Sequence, residues 1–164
     1  MFGKKKHKTD LYSTLLYLSR NLYFYNKIKL NDTFETRVYL IFFHFSLILI
    51  IFKNKKVKFP QNEYDNLFYC IENNLRELGF GDIAVNKKMK SLNNILYDIL
   101  IKINKSKTTF KINKNLTIKY FTEFDDENLD KYELFHGYFE NFYNFCFDIN
   151  PQNMIKDALK FKVK

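Results

Sequence analysis

At 164 residues the chain is long enough to bury a core of its own and short enough to read as one domain. Its formal charge of +9 and pI near 9.4 would ordinarily raise a nucleic-acid or anionic-membrane partner, but Lys, Asn, Ile, Phe and Tyr are what an AT-rich coding sequence supplies, so basicity alone names none. Cys70 and Cys146, with His7, His44 and His136 far apart, share no metal-ligand or redox spacing, which argues against a metal centre and leaves two buried thiols in a reducing compartment as the expectation.

Residues 1–9 are basic, with no apolar stretch behind them. They are expected to form a flexible tail, neither secretory leader nor transit peptide, ahead of a helical domain at 10–164. Leu11, Leu15, Leu18 and Leu22 recur at helical spacing and predict an amphipathic helix over 11–25. Asp32 is placed to cap the next helix, with Glu35 three residues on completing a capping box. The run that follows, VYLIFFHFSLILIIF at 38–52, has only His44 and Ser46 as polar members. A membrane span needs about 20 residues, so this run reads as a buried helix at the centre of the core. His44 within it is either a neutral core histidine or a group lining a pocket.

After a basic loop at 53–58, a helix starting at 60–63 carries Tyr64, Leu67, Phe68, Ile71, Leu75 and Leu78 inward. Gly79 is expected to end it in the left-handed conformation, and Asp82 to cap the next helix with its carboxylate. Beyond that corner Val85, Met89, Leu92, Leu96, Ile99 and Ile103 keep the rhythm, while Lys87, Lys88 and Lys90 lie on the other side. The two helices should pack as a pair. Near 108–121 the pattern alternates, with Phe110, Ile112, Leu116, Ile118 and Tyr120 apolar, and reads as a small β-hairpin. Asp125-Asp126-Glu127 then opens a long helix with Leu129, Tyr132, Phe135, Phe139, Phe142 and Cys146 inward, and Asn150-Pro151 starts a short terminal one. The fold class expected is all-α, a single compact domain of about five to seven helices.

No residues assemble into an enzyme. There is no phosphate-cradling loop, and no Ser or Cys sits beside a base with a third orienting group. Glu77 and Asp82 are more simply a carboxylate paired with Arg76 or Lys87 and a helix cap. Against a lysine-rich background the three arginines, Arg20, Arg37 and Arg76, are the informative cations, since a planar two-pronged donor does what a lysine cannot. Each is expected to make a defined contact with a carboxylate or a backbone carbonyl.

LRELGFGD at 75–82, followed by Val85, Lys87-Lys88 and Met89, resembles the signature of the ubiquinol-cytochrome c chaperone family, LREMGVGD and then V-x-K-x-M. Ser19-Arg20 with Phe24-Tyr25 is similar to that family's A-R…F-Y, and Asp32-Thr33 with Arg37 to its D-T-x-x-G-R. His44 falls where the family has a Leu-His pair in an apolar helix. The likeness extends over residues 11–97, with Thr36, Val38, Phe43 and Glu72 as departures and Leu96-Tyr97-Asp98-Ile99 in place of an F-Y-G-R. It implies a non-enzymatic assembly factor without cofactors, which binds newly made cytochrome b before it enters complex III, with a small partner subunit and at the ribosomal exit. A bacterial-type member would work in the cytoplasm, in peripheral contact with the inner membrane. Client or partner contacts then fall to Arg37, His44, Arg76, Glu77, Asp82, Lys87 and Lys88, with Gly79 and Gly81 as a structural corner. Two other classes are a helical carrier of a lipid, quinone or haem, with His44 facing a cavity, and a basic nucleic-acid- or ribosome-binding protein, although no nucleic-acid motif is present.

Overall fold

The computed structural model describes residues 10–103, 110–125, 127 and 129–163. The basic stretch at 1–9, which includes His7, and Asp126 lie outside the described residues. Among the described residues the chain forms seven α-helices and no strand: α1 (Asp10–Ser19), α2 (Phe34–Asn54), α3 (Gln61–Glu77), α4 (Asp82–Ile103), α5 (Lys114–Tyr120), α6 (Leu129–Phe147) and α7 (Pro151–Asp157). A π turn at Tyr23–Lys27 and a 3-10 turn at Ala158–Lys160 complete them.

The long apolar run is the centre, as expected. α2 is 21 residues long, and both its length and composition would let it cross a membrane, yet 72% of its most apolar window is buried inside the protein. It packs against α1, α4 and α6. Its aromatic side chains meet α3 and the residue leading into it in descending order as that segment ascends: Phe52 meets Phe59, Phe45 meets Tyr64 and Phe42 meets Phe68, with ring centroids 5.0–5.9 Å apart. The two helices therefore run antiparallel, and the corner that ends α3 lies beside the start of α2. On the other side, rings from α6 close the core, where Phe135 and Phe139 lie against Phe43 at 5.4 and 5.6 Å.

Local chemistry moves several boundaries from where periodicity set them. The first helix stops at Ser19 instead of running to Tyr25, because Asn21 takes the Tyr23 N–H on its side-chain oxygen at 2.9 Å. Such a bond offers the backbone an alternative to the helical ladder. At α2 the cap is Thr33, which accepts from Thr36 N–H at 3.1 Å, while Asp32 is drawn away into an ion pair with Arg37 at 2.5 Å. The hairpin expected near 108–121 is corrected: Lys114–Tyr120 is helical, with Asn113 accepting from Asn115 N–H at 2.7 Å as its cap, and residues 108 and 109 lie outside the described residues. The apolar positions Leu116 and Tyr120 fit a helical step of four as well as a strand's alternation. The last long helix begins at Leu129, two residues past the acidic stretch, and Leu129 and Leu78, both expected inward, are exposed. α7 starts with Asn150 as cap and Pro151 in its first turn, as read. Cys70 and Cys146 are buried and not joined in a disulfide, and burial pushes the Cys146 thiol up to about 12.

Candidate functional site

The motif corner is built by its backbone. Gly79, at φ +100°, lies in the region that favours glycine, its N–H donates to the Arg76 carbonyl at 3.0 Å, and the Phe80 N–H reaches back to the Leu75 carbonyl at 3.3 Å. That pairing closes α3 as a Schellman motif. Arg76 then spans the corner, with Nη2 on the Glu72 carboxylate at 3.0 Å and Nη1 on Asp82. Two carboxylates held by the two prongs of one guanidinium is a task for arginine and not for lysine. Asp82 is the first residue of α4, and its carboxylate goes to Arg76 while its charge still suits the helix N-terminus. Glu77, expected to share a cation with this corner, has no ion pair among the described residues; Glu72 has taken its place on Arg76.

Glu77 belongs instead to a cleft of about 220 Å³ between α1, α2 and the end of α3. Leu16, Phe34, Val38, Ile41 and Ile71 supply its apolar surface; Arg20, Arg37, Asn74 and Glu77 supply its polar groups. A second hollow of about 500 Å³ continues from it, sharing Tyr12, Leu16 and Arg20 and running to Tyr17 and Leu22, which are 57% and 67% exposed. The Asn74 side-chain amide donates to the Tyr12 hydroxyl at 2.8 Å and ties α3 to α1 across the floor. Arg37 is steadied by Asp32, whereas Arg20 has no ion pair among the described residues. Beside them the Tyr25 hydroxyl donates to the Ser19 carbonyl at 2.8 Å, and burial, with Asp32 next, pushes it up to about 12.

The structure therefore divides the residues read from sequence. Arg37 and Glu77 meet in the cleft, together with Arg20. Arg76 and Asp82 form the corner that bounds it. Lys87 and Lys88 sit on α4, which contributes nothing to the cleft's lining; Lys87 is exposed and the Lys88 ammonium lies 4.6 Å over the Phe80 ring. His44 is elsewhere, fully buried among Phe24, Tyr138, Phe139 and Phe142. Its Nδ1 lies 2.7 Å from the Leu40 carbonyl, which can only accept, so Nδ1 carries the proton and Nε2 accepts from the Tyr138 hydroxyl at 2.8 Å. Burial holds its pKa down, to about 3. Both ring nitrogens are occupied, so no lone pair is left for a haem iron or another ligand.

Sequence reasoning missed Tyr12, Leu16 and Asn74 as cleft residues, since nothing in their spacing separates a groove wall from a core face. It also missed Asp98, where the family's Gly-Arg pair is lost. That carboxylate accepts from Lys102 at 2.8 Å, Lys119 at 2.9 Å and the Tyr120 hydroxyl, fastening α5 to α4. Burial alone would raise its pKa; these donors outweigh it and hold Asp98 well below the usual carboxylate range.

Among curated proteins and among solved structures, nothing matches this chain. One family model does, described as ubiquinol-cytochrome C chaperone, over residues 26–128. The match begins after the Ser19-Arg20 and Phe24-Tyr25 likeness and continues past Tyr97 through α5, where no motif is visible to the eye. It takes in the Asp32-Thr33…Arg37 cap and clamp, the buried α2 and the Arg76-bridged corner, and with well over half of its length covered, the chain belongs to the ubiquinol-cytochrome c chaperone family.

Proposed function

We propose that this protein binds newly made cytochrome b and helps to assemble the ubiquinol-cytochrome c reductase, complex III, without catalysing a reaction. The observation that carries this reading is the family match across residues 26–128, since the family is one of chaperones and is generally non-enzymatic. The cleft supports it. The wider hollow has an apolar floor and rim in Leu16, Tyr17 and Leu22, which suits a hydrophobic segment awaiting its place in a membrane complex, and the narrower cleft beside it, edged by Leu78, mixes polar and apolar walls. Arg20, Arg37 and Glu77 set polar contacts around that floor and would fix the segment's register, while Arg76 and Asp82 hold the wall in place. The work would be done on the cytoplasmic side of the inner membrane. A small partner subunit and the ribosome belong to this reading only through the resemblance.

The test is deletion of the gene, followed by difference spectra of the membranes for b-type and c-type haem and an assay of ubiquinol-cytochrome c reductase. Loss of the cytochrome b signal with other respiratory complexes intact is the expected result. Unchanged spectra and activity would sink the assembly reading for this chain.

A further inference from the structure

The corner and the outer face of α4 carry an arrangement that the cleft does not use. Every residue from 76 to 83 is exposed, and three of them are large and apolar: Leu78 at 58%, Phe80 at 38% and Ile83 at 82%. A Cβ built on Gly79 or on Gly81 would meet nothing within 4 Å, so the backbone of the tip is open at both glycines. Along α4, Ile83, Lys87, Lys90, Asn94, Tyr97 and Ile101 recur at steps of four and three, and all are exposed. They form one outward stripe roughly 27 Å long, apolar at its ends and basic in its first half.

The charges on this face are not balanced locally. Asp82 and Glu72 are taken by Arg76, Asp98 is taken by Lys102 and Lys119, and Glu77 faces the cleft. Lys87 and Lys90 have no acidic partner among the described residues, and the Lys88 ammonium rests on the ring of Phe80 just behind the tip. Arg76 offsets only one of Glu72 and Asp82, so the corner keeps a negative charge, and Lys87, Lys88 and Lys90 outweigh it to leave this face net positive. Exposed Phe and Ile at the tip, with lysines set one turn back and a tyrosine further along, match the order of groups met on entering a bilayer surface: acyl boundary, then headgroup phosphates.

We propose that the 80–83 tip and the outer stripe of α4 form a membrane-surface site for anionic phospholipid, with Phe80 and Ile83 entering the acyl boundary and Lys87, Lys88 and Lys90 resting among the phosphates. Phe80, Ile83 and the lysines of α4 line neither hollow, so the site leaves the cleft free although Leu78, on the cleft's rim, adjoins it.

The chain contains no Trp, so Phe80→Trp places a single reporter at the tip. The full chain is titrated with vesicles of phosphatidylglycerol and phosphatidylcholine, and with phosphatidylcholine alone. With the mixed vesicles the emission shifts to the blue and is quenched by brominated acyl chains; with neutral vesicles it stays put. Ile83→Trp, at the most exposed apolar position, gives the same result and covers the case in which the Phe80 change disturbs the corner. Phe147→Trp, at the opposite end of the molecule under the Lys55 ammonium, stays unshifted. Lys87→Gln, Lys88→Gln and Lys90→Gln together lower vesicle partitioning about a hundredfold, from about fivefold per lysine. No shift with anionic vesicles, equal shifts at Phe80 and Phe147, or partitioning indifferent to the lysines would overturn the proposal. No client enters this experiment, so its failure leaves the assembly reading standing.

Discussion

The Tyr138 hydroxyl, on α6, donates to His44 Nε2, on α2, at 2.8 Å in the middle of the aromatic core. With Nδ1 given to the Leu40 carbonyl, the imidazole is locked neutral, and it stitches the two helices together inside their ring-packed core. Tyr138→Phe keeps the ring packing and removes the donor. The expected cost is about 1–3 kcal/mol, read from urea unfolding, because Nε2 is left buried without a partner.

The same histidine makes stability depend on pH. Its pKa is near 6.5 unfolded and about 3 folded, so between those values the unfolded chain holds one more proton. Stability is then complete above about pH 6.5 and falls as the pH drops toward 3, by at most about 1.4 kcal/mol per pH unit. His44→Gln should lower stability at neutral pH and flatten this slope; an unchanged slope would mean that other groups carry the acid sensitivity.

Ser46, two residues on, gives the opposite sign. Its hydroxyl is buried without a hydrogen-bond partner among the described residues. Ser46→Ala should be neutral or raise the unfolding free energy by up to about 1 kcal/mol, since it removes an unsatisfied group and leaves almost no cavity.

The two glycines of the corner should differ. Gly79→Ala forces a side chain into φ +100° and is expected to cost about 1–2 kcal/mol. Gly81→Ala meets open space and carries no positive φ, so a melting experiment should place it within about 0.5 kcal/mol of the parent.

Arg20 separates scaffold from contact. It is exposed and has no ion pair among the described residues, so Arg20→Glu should leave the melting temperature essentially unchanged. In the deletion strain, that variant should restore cytochrome b and complex III activity less well than the parent chain. Full restoration would remove Arg20 from the proposed client contacts.

Much of the fold was legible because it follows from local rules. The run at 38–52 could only be a core helix or a membrane span, and Gly79 announced a left-handed close. The motif residues were legible as well, since Arg, Gly and Asp stand out in a chain rich in Lys, Asn and Phe. Competing short-range bonds were less visible: Asn21 ends α1 early, and Thr33 caps α2 once Arg37 has claimed Asp32. The helix at Lys114–Tyr120 was misread as strand because a short segment satisfies both periods, and its lodging beside α4 through Asp98 is decided by distant residues.

By itself, then, the sequence determined an all-α chain, its central helix, its corner and its family, for each of these rests on residue identity at short spacing. Tertiary structure alone decided which residues share a surface. It put Arg20, Arg37 and Glu77 around one cleft, sank His44 out of reach, and turned Phe80, Ile83 and the lysines of α4 to another face. The reason is physical: a helical pattern says that a side chain points inward or outward, but the direction of outward depends on how α1, α2, α3 and α4 cross, and that is settled by contacts between residues far apart in the chain.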